Sequence, residues 1–320
     1  MTTRYINPAQ RKRGSRNRYS FVLLTSNQSE KKVRFMPLIP TSKYVNANNL
    51  NFHYLDWGSP ESPPLVLLHG VGQTSHTWDL FAAAMAPHFH VMAFDQRGHG
   101  DSDWAKDRDY SRASMVHDVS EFTRAAGLTS FFLIGMSMGG MNSMMFTSKN
   151  IERVRSLVVV DIGPRVESAG SSHIRDFMSD NREFNDLDEA ARVIHKFNPR
   201  RPLAIIRNYT CVYNLKQLPS GKWTWKYDSY FASAQRLGDP QVRHDQLATA
   251  ARLITCPTLL VRGAQSPVLS HEGAKEFQRL IPSSAFELIA GAGHSVMGDN
   301  PAGFEAAVRG FYVKQGFLPQ

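Results

Sequence analysis

From Tyr44 onward, short apolar runs alternate with longer amphipathic segments. That pattern predicts a largely parallel sheet with helices on both faces. "YVNANNLNFHYLDWG" (44–58) predicts an opening antiparallel pair turned at Asn48 and Asn49. "PLVLLHG" (64–70) and "HVMAFDQRG" (90–98) predict buried strands, with a helix from about Thr77 to Met85 between them. "SRASMVHDVSEFTRAAGL" starts at a capping residue, Ser111, and sets Met115, Val119, Phe122 and Ala126 on one helical face. The strand "FFLIGM" (131–136), a helix and the strand "SLVVVDIG" (156–163) follow.

After Gly163 the rhythm stops until "CPTLLVRG" (256–263) restores it. Helical stretches are expected around 188–197 and 202–214, then comes the aromatic run "WTWKYDSYF" (223–231). "AFELIAGAG" (285–293) and a helix over 302–314 close the chain. An insertion between two sheet strands predicts a cap over the carboxyl end of the sheet, where open α/β sheets bind ligands. A packing subdomain with no ligand role is the other reading. The expected organisation is a basic, disordered extension over 1–35, a core of 36–163 and 251–320, and a helical cap over 164–250.

Charge changes the picture only at the amino end. Of a formal +9, residues 1–40 carry nine Lys or Arg against the single acid Glu30, a net +8, so the rest is near neutral. An organelle address, a tail for nucleic acid or membrane, and an extension ahead of a start at Met36 remain open for that segment. "SFVLL" is too short for a secretory apolar core. No run approaches the ~20 apolar residues of a membrane span. Two cysteines, Cys211 and Cys256, do not make a disulfide framework, and a cytoplasmic location is expected.

Three glycine-bearing stretches carry the chemistry. "GMSMGG" (135–140) lies between a strand and a helix, so Gly135 and Gly139 permit a tight turn presenting Ser137 at a helix N-terminus. "LLHGVG" (67–72) ends the first parallel strand and can aim a backbone N–H at the same pocket. The N–H groups of Val71 and Met138 would then form an oxyanion hole. "GAGHSVMGDNP" (291–301) puts His294 in a loop after the last strand, where a general base is needed. No group of His, Cys, Asp or Glu has metal-ligand spacing, and no metal or cofactor is expected.

With "FDQRGHGDSD" (94–103), "VVVDIGPR" and "CPTLLVRG", these stretches make the chain resemble serine hydrolases of the α/β-hydrolase superfamily from about Tyr44 to Gly316. The resemblance implies an α/β-hydrolase fold, an eight-stranded, mostly parallel sheet with an inserted helical cap. It also implies that Asp95, Arg97, His99 and Asp101 form a structural turn. Met136 stands where many members have His before the nucleophile.

One departure bears on mechanism. Members commonly have an aspartate in the turn after strand seven, where "GAQSPVLSHE" (263–272) offers Pro267. A histidine that takes and returns a proton needs a carboxylate to hold its tautomer, and proline cannot serve. A second group of members carries the acid after strand six, where this chain has Asp161. It lies 24 residues beyond Ser137 and between Ser137 and His294 in chain order. Asp161 is therefore the expected acid, with Glu272 or a triad lacking its acid as alternatives, and Asp299 is expected to cap the last helix.

The expected activity is cleavage of a carboxylic ester of a small or medium organic molecule through an acyl-enzyme on Ser137, Asp161 and His294. A lactone, an amide or a C–C bond beside a carbonyl would use the same triad, and a non-catalytic ligand-binding module is the reading from another class. The partner is a small-molecule ester, with no nucleic acid and no membrane span, and a homodimer is one open oligomeric state. Trp223, Trp225, Tyr227 and Tyr230 would line an acyl pocket or form cap core. Arg165, Arg175, Arg192, Arg200, Arg201 and Arg207 would suit a carboxylate-bearing substrate or lie on solvated surface.

Overall fold

Two asparagines in left-handed backbone open the sheet. In the computed structural model, which describes residues 39–180, 182–233 and 238–320, Asn48 and Asn49 have φ of 47° and 59° and turn β1 (Thr41–Ala47) into β2 (Leu50–Trp57). Asn tolerates that region, and a turn of this hand follows the twist of antiparallel strands. The basic extension expected over 1–35 lies outside the described residues.

The core then runs β3 (Pro64–Leu68), α1 (Asp79–Met85), β4 (His90–Phe94), α2 (Arg112–Ala125), β5 (Phe131–Met136), α3 (Met138–Thr147) and β6 (Val154–Val160). Ser111 caps α2, its side chain accepting from the Ser114 N–H, and Met115, Val119 and Phe122 are buried on one face.

The insertion holds α4 (Ser168–Asp180), β7 (Glu183–Phe184), α5 (Leu187–Phe197), α6 (Leu203–Ile205), a π-helical turn (Ile206–Thr210), α7 (Cys211–Asn214), β8 (Leu215–Gln217) and β9 (Trp223–Trp225). The chain closes with α8 (Pro240–Arg252), β10 (Thr258–Gly263), α9 (His271–Leu280), β11 (Ala285–Ile289), α10 (Val296–Asp299) and α11 (Pro301–Lys314).

The eight-stranded sheet has the order β1-β2-β4-β3-β5-β6-β10-β11, and only β2 runs against the rest. From β3 the chain steps outward to β4 and then crosses back to β5, so the loops leaving β3 and β5 part at the carboxyl edge. Such a reversal opens a crevice there. The apolar side chains of α1 and α11 cover one face of the sheet, and those of α2, α3, α8 and α9 cover the other.

Two features of the insertion differ from the sequence expectation. It is not purely helical, because β7, β9 and β8 pair as a small antiparallel sheet. Alternating Trp223, Thr224 and Trp225 favour a pleated strand, with Trp225 meeting Phe184 edge to face at 5.7 Å. The segment expected to end the cap at 250 is instead α8, which starts with Pro240 after the capping Asp239 and packs on α3 and α9 in the layer over the sheet.

The "FDQRGHGDSD" loop is tied down from within. Buried Asp95 meets His53 Nδ1 at 2.7 Å and accepts from the N–H groups of Ser75 at 2.5 Å and Asp101 at 3.0 Å. Arg97 is ion-paired with Asp118, and both are buried. Burial alone would push the Asp95 carboxyl up, but the His53 hydrogen bond and the charges of His53 and His69 hold it well below the ordinary carboxylate value.

A carboxyl depressed on folding stabilises the fold above its unfolded pKa and loses that contribution as pH falls. Asp95→Asn should therefore be less stable than wild type at pH 7, with the gap narrowing below about pH 4. Urea melts at several pH values measure this, and a gap independent of pH would contradict it. Phe304 of α11, fully buried against Trp78 and Phe81, should cost about 3–5 kcal/mol when cut to Ala. A loss under about 1 kcal/mol in the same melts would place it outside the core.

Candidate active site

The turn after β5 is built by close approach of backbones. A Cβ on Gly135 would stand 2.3 Å from the Gly139 carbonyl oxygen, and one on Gly139 would stand 2.3 Å from that of Leu68. With no side chains at these two positions α3 packs tightly on β5 and β3, and Ser137 sits between strand and helix at φ 53°. Its N–H donates to the Val160 carbonyl at 3.0 Å, so the strained residue is pinned to β6.

β6 ends in a second left-handed residue. Asp161 has φ 55°, its N–H donates to the Val261 carbonyl at 2.7 Å, and its side chain is wholly buried. Oδ1 accepts from the Gly263 N–H at 2.9 Å. Oδ2 accepts from the Ser266 hydroxyl and lies 2.8 Å from His294 Nδ1. On the other side of the ring, His294 Nε2 is 2.9 Å from Ser137 Oγ. An ionised carboxylate can only accept, which puts the proton on Nδ1 and leaves Nε2 to receive the Ser137 hydroxyl hydrogen. Ser137, Asp161 and His294 are thus brought into one chain of hydrogen bonds.

The turn after β10 supports Asp161 without an acid of its own. Ser266 Oγ donates to Asp161 and accepts from the N–H groups of Val268 at 3.1 Å and Leu269 at 3.3 Å. Pro267 lies against α4, its carbonyl oxygen 2.1 Å from where a Gly170 Cβ would be. Glu272 is exposed in the first turn of α9, away from this network. Asp299 does not cap the last helix, because Asn300 does so by accepting from the Gly303 N–H at 2.9 Å. Asp299 instead fastens the His294 loop, accepting from the Gly293 N–H at 3.0 Å, Arg201 Nε at 3.0 Å and Asn198 Nδ2 at 2.9 Å.

Val71 and Met138 approach from two loops and, with Ser137 and His294, border a recess of about 80 Å³. The Val71 loop is held by Gln73 Oε1, which accepts from the Gly70 N–H at 3.0 Å, and by His99 Nε2, which accepts from the Gly72 N–H at 3.1 Å. Gln73 Nε2 also reaches Ser295 Oγ at 3.3 Å, linking this loop to that of His294. Met138 is the first residue of α3, where the N–H groups and the helix dipole favour negative charge.

A cavity of about 500 Å³ opens over Ser137 and His294. Of the four aromatics singled out in the sequence, Trp225 and Tyr227 line it, whereas Trp223 and Tyr230 pack half-buried against the core of the insertion. Arg200 and Arg201 reach this cavity and Arg175 the smaller recess. Arg165 and Arg207 instead pair with Glu167 and Asp188 near the surface, and Arg192 is exposed.

Burial pushes the thiols of Cys211 and Cys256 up to about 12 and about 11, which leaves neither as a nucleophile. His53, Asp95 and Asp101 present ligand atoms within 4.8 Å of one another, but His53 is already bonded to Asp95 and to Ser42, and Asp101 pairs with Lys226. No helix among the described residues is long and apolar enough to cross a membrane.

The family model for the α/β hydrolase fold matches residues 63–203. The crystal structure of E-2-(acetamidomethylene)succinate hydrolase superposes with a TM-score of 0.75 at 24% identity, covering 85% of this chain and 98% of that one. The chain has the α/β-hydrolase fold and is similar to hydrolases of that superfamily. The chain is 27% identical to an esterase of Mycobacterium tuberculosis over 91% of its own length and 94% of the relative's. It is also 28% identical to a mouse sn-1-specific diacylglycerol lipase over 82% and 84% of the two chains.

The close backbone contacts around Ser137 lead to a steric prediction. Gly139→Ala should fail to fold or lose several kcal/mol of stability, because the Cβ meets backbone rather than a yielding side chain. Circular dichroism melts test it, and a wild-type melt would mean that α3 and β3 do not approach as described.

Proposed function

We propose that the protein hydrolyses carboxylic esters through an acyl-enzyme on Ser137. The observation that carries this reading is the hydrogen-bond chain from Ser137 Oγ through His294 to Asp161, 2.9 Å and 2.8 Å in its two links, at the floor of a roomy cavity. Esterase and lipase relatives support an ester as the bond cleaved.

In this reading Ser137 Oγ attacks the ester carbonyl carbon while its proton passes to His294 Nε2. The carbonyl oxygen gains the negative charge and is held by the Val71 and Met138 N–H groups, each contributing about 3 kcal/mol. His294 then gives its proton to the departing alkoxide, and the alcohol leaves the acyl-enzyme. Water repeats the sequence with His294 as base, releasing the acid and restoring Ser137. Asp161 stays ionised, orients the ring and stabilises the imidazolium. The insertion over residues 164–238 acts as the cap that shapes the acyl pocket, with Trp225 and Tyr227 in its wall.

Turnover of p-nitrophenyl esters of increasing acyl length tests the assignment. Ser137→Ala and Asp161→Asn should each lower kcat by about a thousandfold or more, and Glu272→Gln should stay within about threefold of wild type. Near-wild-type turnover by Asp161→Asn would assign the acid elsewhere.

A further inference from the structure

The recess of about 80 Å³ beside Ser137 receives an arginine from each of three elements, Arg112 of α2, Arg175 of α4 and Arg243 of α8. Arg112 is the unusual one. Its Nη1 donates to Asn142 Oδ1 at 2.7 Å and to the Met138 carbonyl at 3.4 Å, and its Nη2 to Met141 Sδ at 3.3 Å, all on α3. These contacts use three of the five guanidinium N–H groups, and none is with a carboxylate. Burial and then the like charge of Arg243 push Arg112 down to about 10. A half-buried cation with no acid beside it among the described residues is costly unless something anionic visits.

The recess is small, and its other walls include the apolar side chains of Met141, Ile162 and Val268. Water occupies about 30 Å³ per molecule, so about 80 Å³ holds a carboxylate and a short linker but not a long chain. A planar guanidinium matches a carboxylate through two parallel hydrogen bonds. Arg175 stands at the solvent edge, 30% exposed, and donates to Ser172 Oγ at 3.1 Å with Asp176 at 3.6 Å. It can add a second cation as an anion enters.

We propose that this recess binds a free carboxylate on the substrate, close in the chain to the carbonyl that Ser137 attacks, with Arg112 as its main partner. The preferred esters are then hemiesters of short dicarboxylic acids, their remaining part extending into the larger cavity. This inference rests on the ester-hydrolase reading for its substrate but not for its anion site.

The test follows hydrolysis of monoethyl succinate and of ethyl butyrate, similar in size but neutral, by pH-stat in wild type, Arg112→Gln and Arg175→Gln. Binding of free succinate to Ser137→Ala is measured in parallel by calorimetry. Wild type should favour the hemiester in kcat/KM by about tenfold or more, and Arg112→Gln should cut the hemiester at least about tenfold further than ethyl butyrate. Adding Arg112→Gln to Ser137→Ala should abolish succinate binding. Arg175→Gln, altered at the solvent edge, should shift the same ratio in the same direction should Arg112→Gln not fold. Equal losses on both esters, or binding of inorganic phosphate but not succinate, would overturn the proposal. Arg112-dependent succinate binding without turnover of either ester would sink the hydrolase reading while leaving the carboxylate site standing.

Discussion

A carboxylate with no exposed surface has to receive its hydrogen bonds from the fold itself, and Asp161 receives three, from the Gly263 N–H, the Ser266 hydroxyl and the His294 ring. Without them, burying the charge would cost several kcal/mol. The three donors come from β10, the turn that follows it and the loop after β11. The position of His294 therefore depends on register across two neighbouring parallel strands. In the proposed reaction that register sets the angle at which Nε2 meets Ser137.

Strain and support are paired at the sheet edge. Ser137 and Asp161 end adjacent strands and both adopt left-handed backbone, a cost of about 1–3 kcal/mol each. Both are held by a backbone hydrogen bond to the neighbouring strand, Ser137 to Val160 and Asp161 to Val261. The insertion is fastened to the same edge through Arg201 and Asn198 on Asp299, and through Gly170 against Pro267. The insertion and the His294 loop therefore share anchors. Movement of α4 or α5 would be felt at the histidine.

Much of this was legible in the sequence because each signal is local. Apolar runs of strand length, the Ser111 cap, the Asn-Asn turn and the glycines around Ser137 all act within a few residues. Asp161 is legible through the resemblance to members that carry the acid after strand six, where this chain ends a strand in an acid. What the sequence hid is non-local. Ser266 reads as an ordinary turn residue until β10 lies beside β6, and Arg112 reads as a surface residue at a helix start until α3 and α8 close around it. Asp299 was misjudged because Asn300, one residue later, has the same capping chemistry. The amphipathic pattern of α8 does not show which layer it joins, and in the structure it packs on α3 and α9.

The central claim is that Asp161, bracketed by the acid-free turn after β10, activates Ser137 through His294. The measurement that bears on it most directly is the rate of stoichiometric labelling by an alkyl fluorophosphonate, with the adduct located by peptide mass spectrometry, in wild type and Asp161→Asn. One adduct is expected, on the peptide containing Ser137, formed at least about a hundredfold more slowly in the variant. An adduct on another serine, or equal rates in the two proteins, would contradict it.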